Sequence, residues 1–213
     1  MTAVREGAIP LAGLYIILDP SVRPDRPLIE VLNAAAAGGA RMFQYRNKTA
    51  PMKEAFAEAG MLRRRARDLE ALFLVNDRCD LALAIDADGV HLGQADLPYV
   101  NARQLLGPQR CIGISTHTAA QVEEADRLQP DYIGFGPIFA PASKNDHDPV
   151  VGVEGLRDIR PLTSLPVFAI GGIQASHVRT LLAAGANGIA VISAVCAAPD
   201  VAAATMNFTA QMR

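Results

Sequence analysis

Apolar residues fall along the chain in short runs at near-regular intervals, and each run ends in, or is followed at once by, a polar residue or glycine. The runs are LYIIL (14–18), RMFQY (41–45), LFLVN (72–76), GVHL (89–92), CIGIS (111–115), YIGFG (132–136), PVFAI (166–170) and GIAVI (188–192). Their near-continuous apolar character predicts strands buried on both faces, as in a parallel sheet. Between them lie stretches with helical spacing, among them 28–37 closed by Gly38–Gly39, 51–68, and 177–184 closed by Gly185. Eight strand-then-helix units in 213 residues predict an α/β fold, a single (β/α)8 barrel domain over 1–213, slightly below the usual length. An open doubly wound sheet would need fewer strands and usually a G-x-G-x-x-G turn after the first; "LDPSVRP" has no such turn. Ala-rich pieces at 33–37 and 201–204 read as helix through simple propensity.

Composition narrows the function. With 50% hydrophobic and 20% charged residues the chain is of ordinary globular type. A formal net charge of −2 offers no basic footprint for nucleic acid or an anionic membrane, so small-molecule partners are expected. Cys79, Cys111 and Cys196 are odd in number and widely spaced, which suggests neither a disulfide framework nor a zinc site and fits a reducing cytoplasm. The apolar run 7–18 is interrupted by Pro10 and ended by Asp19 without a small-residue cleavage site, unlike a signal peptide. No stretch approaches a membrane-spanning length.

A barrel builds its active site from the loops after the strands' carboxyl ends, and the polar residues collect there. Gln44, Arg46 and Lys48 follow the second strand, Asn76 and Asp77 the third, and His91, Gln94 and Asp96 the fourth. Ser115 and His117 follow the fifth, Ser143 and Lys144 the sixth, Gly171 and Gly172 the seventh, and Ser193 the eighth. Arg46, Lys48 and Lys144 supply cations suited to phosphate oxygens. "AIGGI" and "AVISA" match the barrel phosphate site, where backbone N–H groups approach an anion. Asp77 and Asp96, from adjacent loops, suit Mg²⁺ held by carboxylates, water and phosphate oxygens. Three cations, two carboxylates and a separate glycine site describe a diphosphate–Mg²⁺ substrate beside a monophosphate substrate.

Simpler readings stand beside these. Asn76 or Asp77 also suits the N-cap of the next helix, and Asp96, just before Leu97–Pro98, suits another. Lys144 alone reads as a solvated loop lysine. His91 and His117 read as structural hydrogen-bonders rather than bases. "RRRARD" (63–68) reads as a solvated helix face.

Taken in order, "QYRNK", "VNDRCDLA", "DGVHLGQADLP", "GISTHT", "YIGFGPIF", "AIGGI" and "GANGIAVISAV" closely resemble the thiamine-phosphate synthase family, over about 14–195. The resemblance implies a barrel enzyme that joins 4-amino-2-methyl-5-hydroxymethylpyrimidine diphosphate to a thiazole phosphate, releasing pyrophosphate and thiamine phosphate with Mg²⁺. It implies further that Gln44, Arg46, Lys48, Asn76, Ser115 and Lys144 contact the pyrimidine diphosphate. Asp77 and Asp96 become the metal ligands, and Gly172 with the backbone of Ile192 and Ser193 the thiazole-phosphate cradle. Arg46, Lys48 and Lys144 then carry the catalytic charge.

Two departures are visible. Where the family usually shows two threonines before the lysine, "FAPASKNDHD" has Pro141 and Ser143. Ser143 keeps a hydroxyl that can donate to phosphate, whereas Pro141 cannot donate. Asn47 stands where an acid is common. Two rival functions are a thiazole tautomerase-like isomerase, which typically lacks the Asn-Asp pair and the metal aspartate, and a non-catalytic thiamine-pathway binding protein. The presence of Asn76, Asp77 and Asp96 counts against the first, and magnesium-dependent product formation would separate the second.

Overall fold

A computed structural model describes residues 11–140 and 149–213. Eight strands close into one barrel in chain order. They are β1 (Gly13–Leu18), β2 (Met42–Tyr45), β3 (Leu72–Asn76), β4 (Gly89–Leu92), β5 (Cys111–Thr116), β6 (Tyr132–Phe135), β7 (Val167–Ile170) and β8 (Gly188–Val191). Every neighbouring pair is parallel, and β1 pairs with β8 through Gly13↔Gly188 and Ile16↔Val191 to complete the ring. The expected barrel is the observed one, with strand ends displaced by a residue or two.

Helices connect the strands: α1 (Leu28–Ala37), α2 (Met52–Asp68), α3 (Cys79–Ala84), α4 (Tyr99–Leu106), α5 (Ala119–Leu128), α6 (Gly152–Ile159) and α7 (Val178–Ala183). After β8 come a short α8 (Ser193–Cys196) and then α9 (Val201–Ala210), the Ala-rich segment, capped by Asp200 accepting from the Ala203 N–H at 2.9 Å. The stretch 177–184 begins instead with a 3-10 turn at Ala175–His177. Among the described residues no helix is long and apolar enough to cross a membrane.

The core has two compartments, separated by the alternation of side chains along each strand. Leu14, Ile16 and Leu18 of β1 face the helices with Phe43, Phe73, Ile133 and Ile189. Tyr15 and Ile17 face inward with Met42, Leu74, Cys111, Tyr132, Phe168 and Ala190. Inside the barrel Tyr15, Tyr132 and Phe168 form an edge-to-face triangle with ring centroids 5.3 to 6.0 Å apart. Room for it comes from Gly113, where a Cβ would lie 2.0 Å from the Tyr132 ring.

The arginine run on α2 departs from expectation. Arg63 is buried and donates to the Asp86 carbonyl at 2.8 Å and to Asp88 at 2.7 Å, while Arg65 and Arg67 bond Asn33 and Asp86. These planar forks tie α2 to neighbouring segments and are not a wholly solvated face.

Candidate active site

The inward parity continues past the strand ends. Gln44, Arg46 and Lys48 share the two-residue spacing of inward-facing Met42, so one face of β2 delivers an amide and then two cations to the rim. Asn76 on β3, His91 on β4, and Ser115 and His117 on and after β5 arrive by the same rule. Together with Asp77, Asp96 and the Tyr15–Tyr132–Phe168 floor they line a cavity of about 300 Å³ at the carboxyl ends of the strands.

Its floor carries a continuous polar chain. The Gln44 amide Nε2 donates to the Tyr15 hydroxyl. The Tyr15 and Tyr132 hydroxyls are 3.1 Å apart, the Tyr132 hydroxyl lies 2.9 Å from His91 Nδ1, and His91 Nε2 lies 2.9 Å from Ser115 Oγ. Burial pushes the His91 imidazole down to about 4, so it is neutral near pH 7. Burial likewise raises both tyrosines well above the ordinary phenol range. His117 bonds the Gly136 carbonyl through Nδ1 at 2.6 Å. Both histidines are thus hydrogen-bonded parts of the structure, as expected.

Above the floor sit the charges. Arg46 is paired with Asp19, a buried carboxylate that also accepts from the Ser21 N–H at 2.9 Å and hydroxyl at 2.6 Å. Lys48 lies 3.4 Å from Asp77. Asp77 has a left-handed backbone, φ 61°, which Asp tolerates better than most residues, and its N–H donates to the His91 carbonyl at 2.9 Å. Neither carboxylate is a helix cap: α3 begins after Arg78 and α4 after Pro98, both without a side-chain cap bond. Asp96 closes a turn by accepting from Gly93 N–H at 2.7 Å. Burial first, then the adjacent Asp96 carboxyl, pushes the Asp77 carboxyl above the usual range, while Lys48 pulls it down. Two such carboxylates can hold a hard divalent cation whose other positions go to water and phosphate oxygens. Among the described residues no group of three or more His, Cys, Asp or Glu side chains forms a fuller metal cage.

A second cavity of about 140 Å³ adjoins the first, sharing Ile170, Gly171, Ala190 and Ile192 as walls. Its lining among the described residues is Gly172, Ser193, Ala194 and neighbours, without a charged side chain. The N–H groups of Ser193 and Ala194 open α8 and so have no intrahelical acceptor. Gly171 and Gly172 have φ of 100° and 61°, and a Cβ on Gly172 would sit 2.8 Å from the Ala140 carbonyl oxygen and from Phe139. Glycine is required here partly because the segment after β6 packs directly on it.

The structure therefore brings Gln44, Arg46, Lys48, Asn76, Asp77, Asp96, Ser115 and Ile192 around one cavity, and Gly172, Ile192 and Ser193 around its neighbour. Pro141, Ser143 and Lys144 lie outside the described residues. Asn47 finds a physical account: its Oδ1 accepts from Thr49 N–H at 3.2 Å and Ala50 N–H at 3.0 Å, closing the turn before α2, a task an acid performs equally well. Sequence reasoning missed Asp19, Tyr15 and Tyr132. Asp19 had a signal, being the first residue after β1 as Arg46 is after β2, and Leu18 pairs with Tyr45.

A charged cleft beside a backbone-built anion cradle, both at the carboxyl rim of an eight-stranded barrel, defines a class of barrel enzymes that handle phosphorylated small molecules. A family model described as thiamine monophosphate synthase matches residues 14–195. The chain is 44% identical over 196 residues to the thiamine-phosphate synthase of Moorella thermoacetica, covering 92% of this chain and 93% of that protein. It is 44% identical over 197 residues to that of Chloroflexus aurantiacus, covering 92% and 91%. The solved structure of thiamine phosphate pyrophosphorylase from Pyrococcus furiosus superposes with a TM-score of 0.85 at 40% identity, covering 94% of this chain and 95% of that one. A 3-hexulose-6-phosphate synthase, at 16% identity and a TM-score of 0.69 over 93% and 99% of the two chains, shares the fold alone. This chain belongs to the thiamine monophosphate synthase family.

Proposed function

We propose that the protein couples 4-amino-2-methyl-5-hydroxymethylpyrimidine diphosphate to 4-methyl-5-(2-hydroxyethyl)thiazole phosphate, forming thiamine phosphate and releasing pyrophosphate. The observation that carries this reading is the shared wall between a cleft lined by Arg46, Lys48, Asp77 and Asp96 and a glycine cradle whose described residues carry no charge. A diphosphate in the first and a monophosphate in the second would place two substrates side by side.

The pyrimidine diphosphate is seated by Gln44, Asn76 and Ser115, with its phosphates toward Arg46, Lys48 and, from the loop after β6, Lys144. The thiazole phosphate is held by Gly172 and the backbone of Ile192 and Ser193, with Ser143 adding a hydroxyl. Asp77 and Asp96 would hold Mg²⁺, which when bound neutralises charge on the leaving pyrophosphate. The methylene C–O bond breaks, the electron-rich aminopyrimidine delocalises the resulting cation, and the thiazole nitrogen supplies the pair for the new C–N bond. No covalent nucleophile is required of the protein. Arg46, Lys48 and Lys144 meet charge that grows as the bond breaks, so their effect falls on turnover more than on substrate affinity. Asp19 keeps the Arg46 guanidinium oriented beforehand. All three cysteines are buried and none forms a disulfide, in keeping with a cytoplasmic enzyme.

The test is pyrophosphate release from purified protein given both substrates and Mg²⁺, with one control lacking thiazole phosphate and another containing a chelator. Release that needs both additions, with thiamine phosphate formed in equal amount, is expected. Absence of release from folded protein would overturn the reading.

A further inference from the structure

The floor chain Gln44–Tyr15–Tyr132–His91–Ser115 draws one residue each from β2, β1, β6, β4 and β5 and crosses the barrel beneath the cavity. Each hydroxyl has one proton to give and the neutral imidazole has one N–H, so the links must all point the same way. The Gln44 end sets the direction. Its Nε2–H occupies a lone pair on the Tyr15 oxygen, and Tyr15 is 2% exposed, so the phenol proton is directed to Tyr132 rather than left without an acceptor. Tyr132, fully buried, has already accepted from Tyr15 and gives its own proton to His91 Nδ1. His91 then carries its proton on Nε2 and donates to Ser115 Oγ. The Ser115 O–H is left to point elsewhere, and Ser115 lines the cavity.

We propose that Tyr15, Tyr132 and His91 are positioning residues that form a directed hydrogen-bond relay, holding Ser115 as a donor toward an acceptor atom of the bound ring. Reversal of the relay would turn the Ser115 proton inward to His91 and present only lone pairs to the ring. The site would then suit a ring bearing N–H at that point and repel the lone pair of an aminopyrimidine nitrogen. The relay is therefore a device for ring selection as well as rigidity. This role rests on the proposed seating of the pyrimidine diphosphate, but the polarity of the relay does not.

Two measurements test it on the full chain. Nitrogen-15 NMR of the ligand-free protein reads the His91 tautomer directly; Nε2–H is expected, and Tyr132→Phe, which keeps the aromatic ring but removes the link, is expected to lose that single tautomer. Kinetics form a double-mutant cycle: Ser115→Ala should lower kcat/KM by roughly 10- to 100-fold in wild type but by less than about threefold in the Tyr132→Phe background. Tyr15→Phe, which cuts the relay further upstream, should weaken the Ser115→Ala effect in the same way. A residue that merely packs would leave the tautomer and the additivity unchanged. An Nδ1–H tautomer in wild type overturns the polarity, and full additivity in both backgrounds overturns the coupling. An Nε2–H tautomer combined with a fully active Ser115→Ala variant overturns the seating of the substrate here.

Discussion

The two halves of the rim offer an anion different groups. From β2 to β4 the cleft uses side chains: Arg46 backed by buried Asp19, Lys48 against Asp77, and the Asp77–Asp96 pair. From β7 to β8 the second cavity offers backbone, glycines and the first N–H groups of α8, with no charged side chain among the described residues of its lining. Under the proposed function, the physical difference is whether the charge changes during the reaction. A leaving pyrophosphate gains charge, and ionic groups in a shielded cleft respond to that gain. A spectator monophosphate keeps its charge, so fixed peptide dipoles suffice to hold it. Damage to the first half should therefore slow turnover, and damage to the second should weaken binding.

The largest break should come from Asp96→Ala or Asp77→Ala, with turnover falling by about 10³-fold or more and not recovering at high Mg²⁺. Initial-rate measurements across a magnesium titration check this; full recovery at high metal would make the carboxylates affinity devices only. Next in size is Asp19→Asn, which leaves Arg46 without its ionic partner. It should lower kcat by roughly 10- to 100-fold and destabilise the fold by about 1–3 kcal/mol, read by kinetics and urea melts. A drop in KM affinity with normal kcat would show that Arg46 needs no such support. In the cradle, Gly172→Ala forces a Cβ against the Ala140 carbonyl oxygen at φ 61°. Here the expected result is a rise in KM for thiazole phosphate of about tenfold with a smaller change in kcat, plus about 1–3 kcal/mol of strain.

The last effect is one of pH and concerns the floor beneath both halves. His91 is pushed down to about 4 by burial, whereas an unfolded chain binds the proton near 6.5. Between those values the unfolded state holds more protons, so stability is complete above about 6.5 and declines as pH falls toward 4, by on the order of 3 kcal/mol. Denaturant melts of wild type and His91→Gln across that range should show the variant with the shallower pH slope.

Much of this was legible in the linear pattern. Eight apolar runs with capped helical stretches between them specify a barrel because burial on both strand faces leaves few other arrangements, and the runs match the observed strands closely. Gln44, Arg46 and Lys48 could be assigned to one rim because side-chain direction repeats every two residues. Asp19 was missed because its meaning depends on strand pairing: Leu18 lies beside Tyr45, and only that register puts the carboxylate against Arg46. Tyr15 and Tyr132 carried no separate signal because each sits within an apolar run, 117 residues from the other. The cap readings of Asp77 and Asp96 failed for a local reason, since α3 starts one residue, and α4 two residues, later than a cap there would require.

Periodicity, glycine placement and the types of polar residue at strand ends are properties of the chain itself, so fold class, rim and family follow from sequence alone. Distances across the barrel are not. Closure brings together side chains from five strands in the floor relay, pairs Asp19 with Arg46, and sets one charged cavity beside one glycine cradle, because hydrogen bonds and ion pairs act over about 3 Å regardless of separation along the chain.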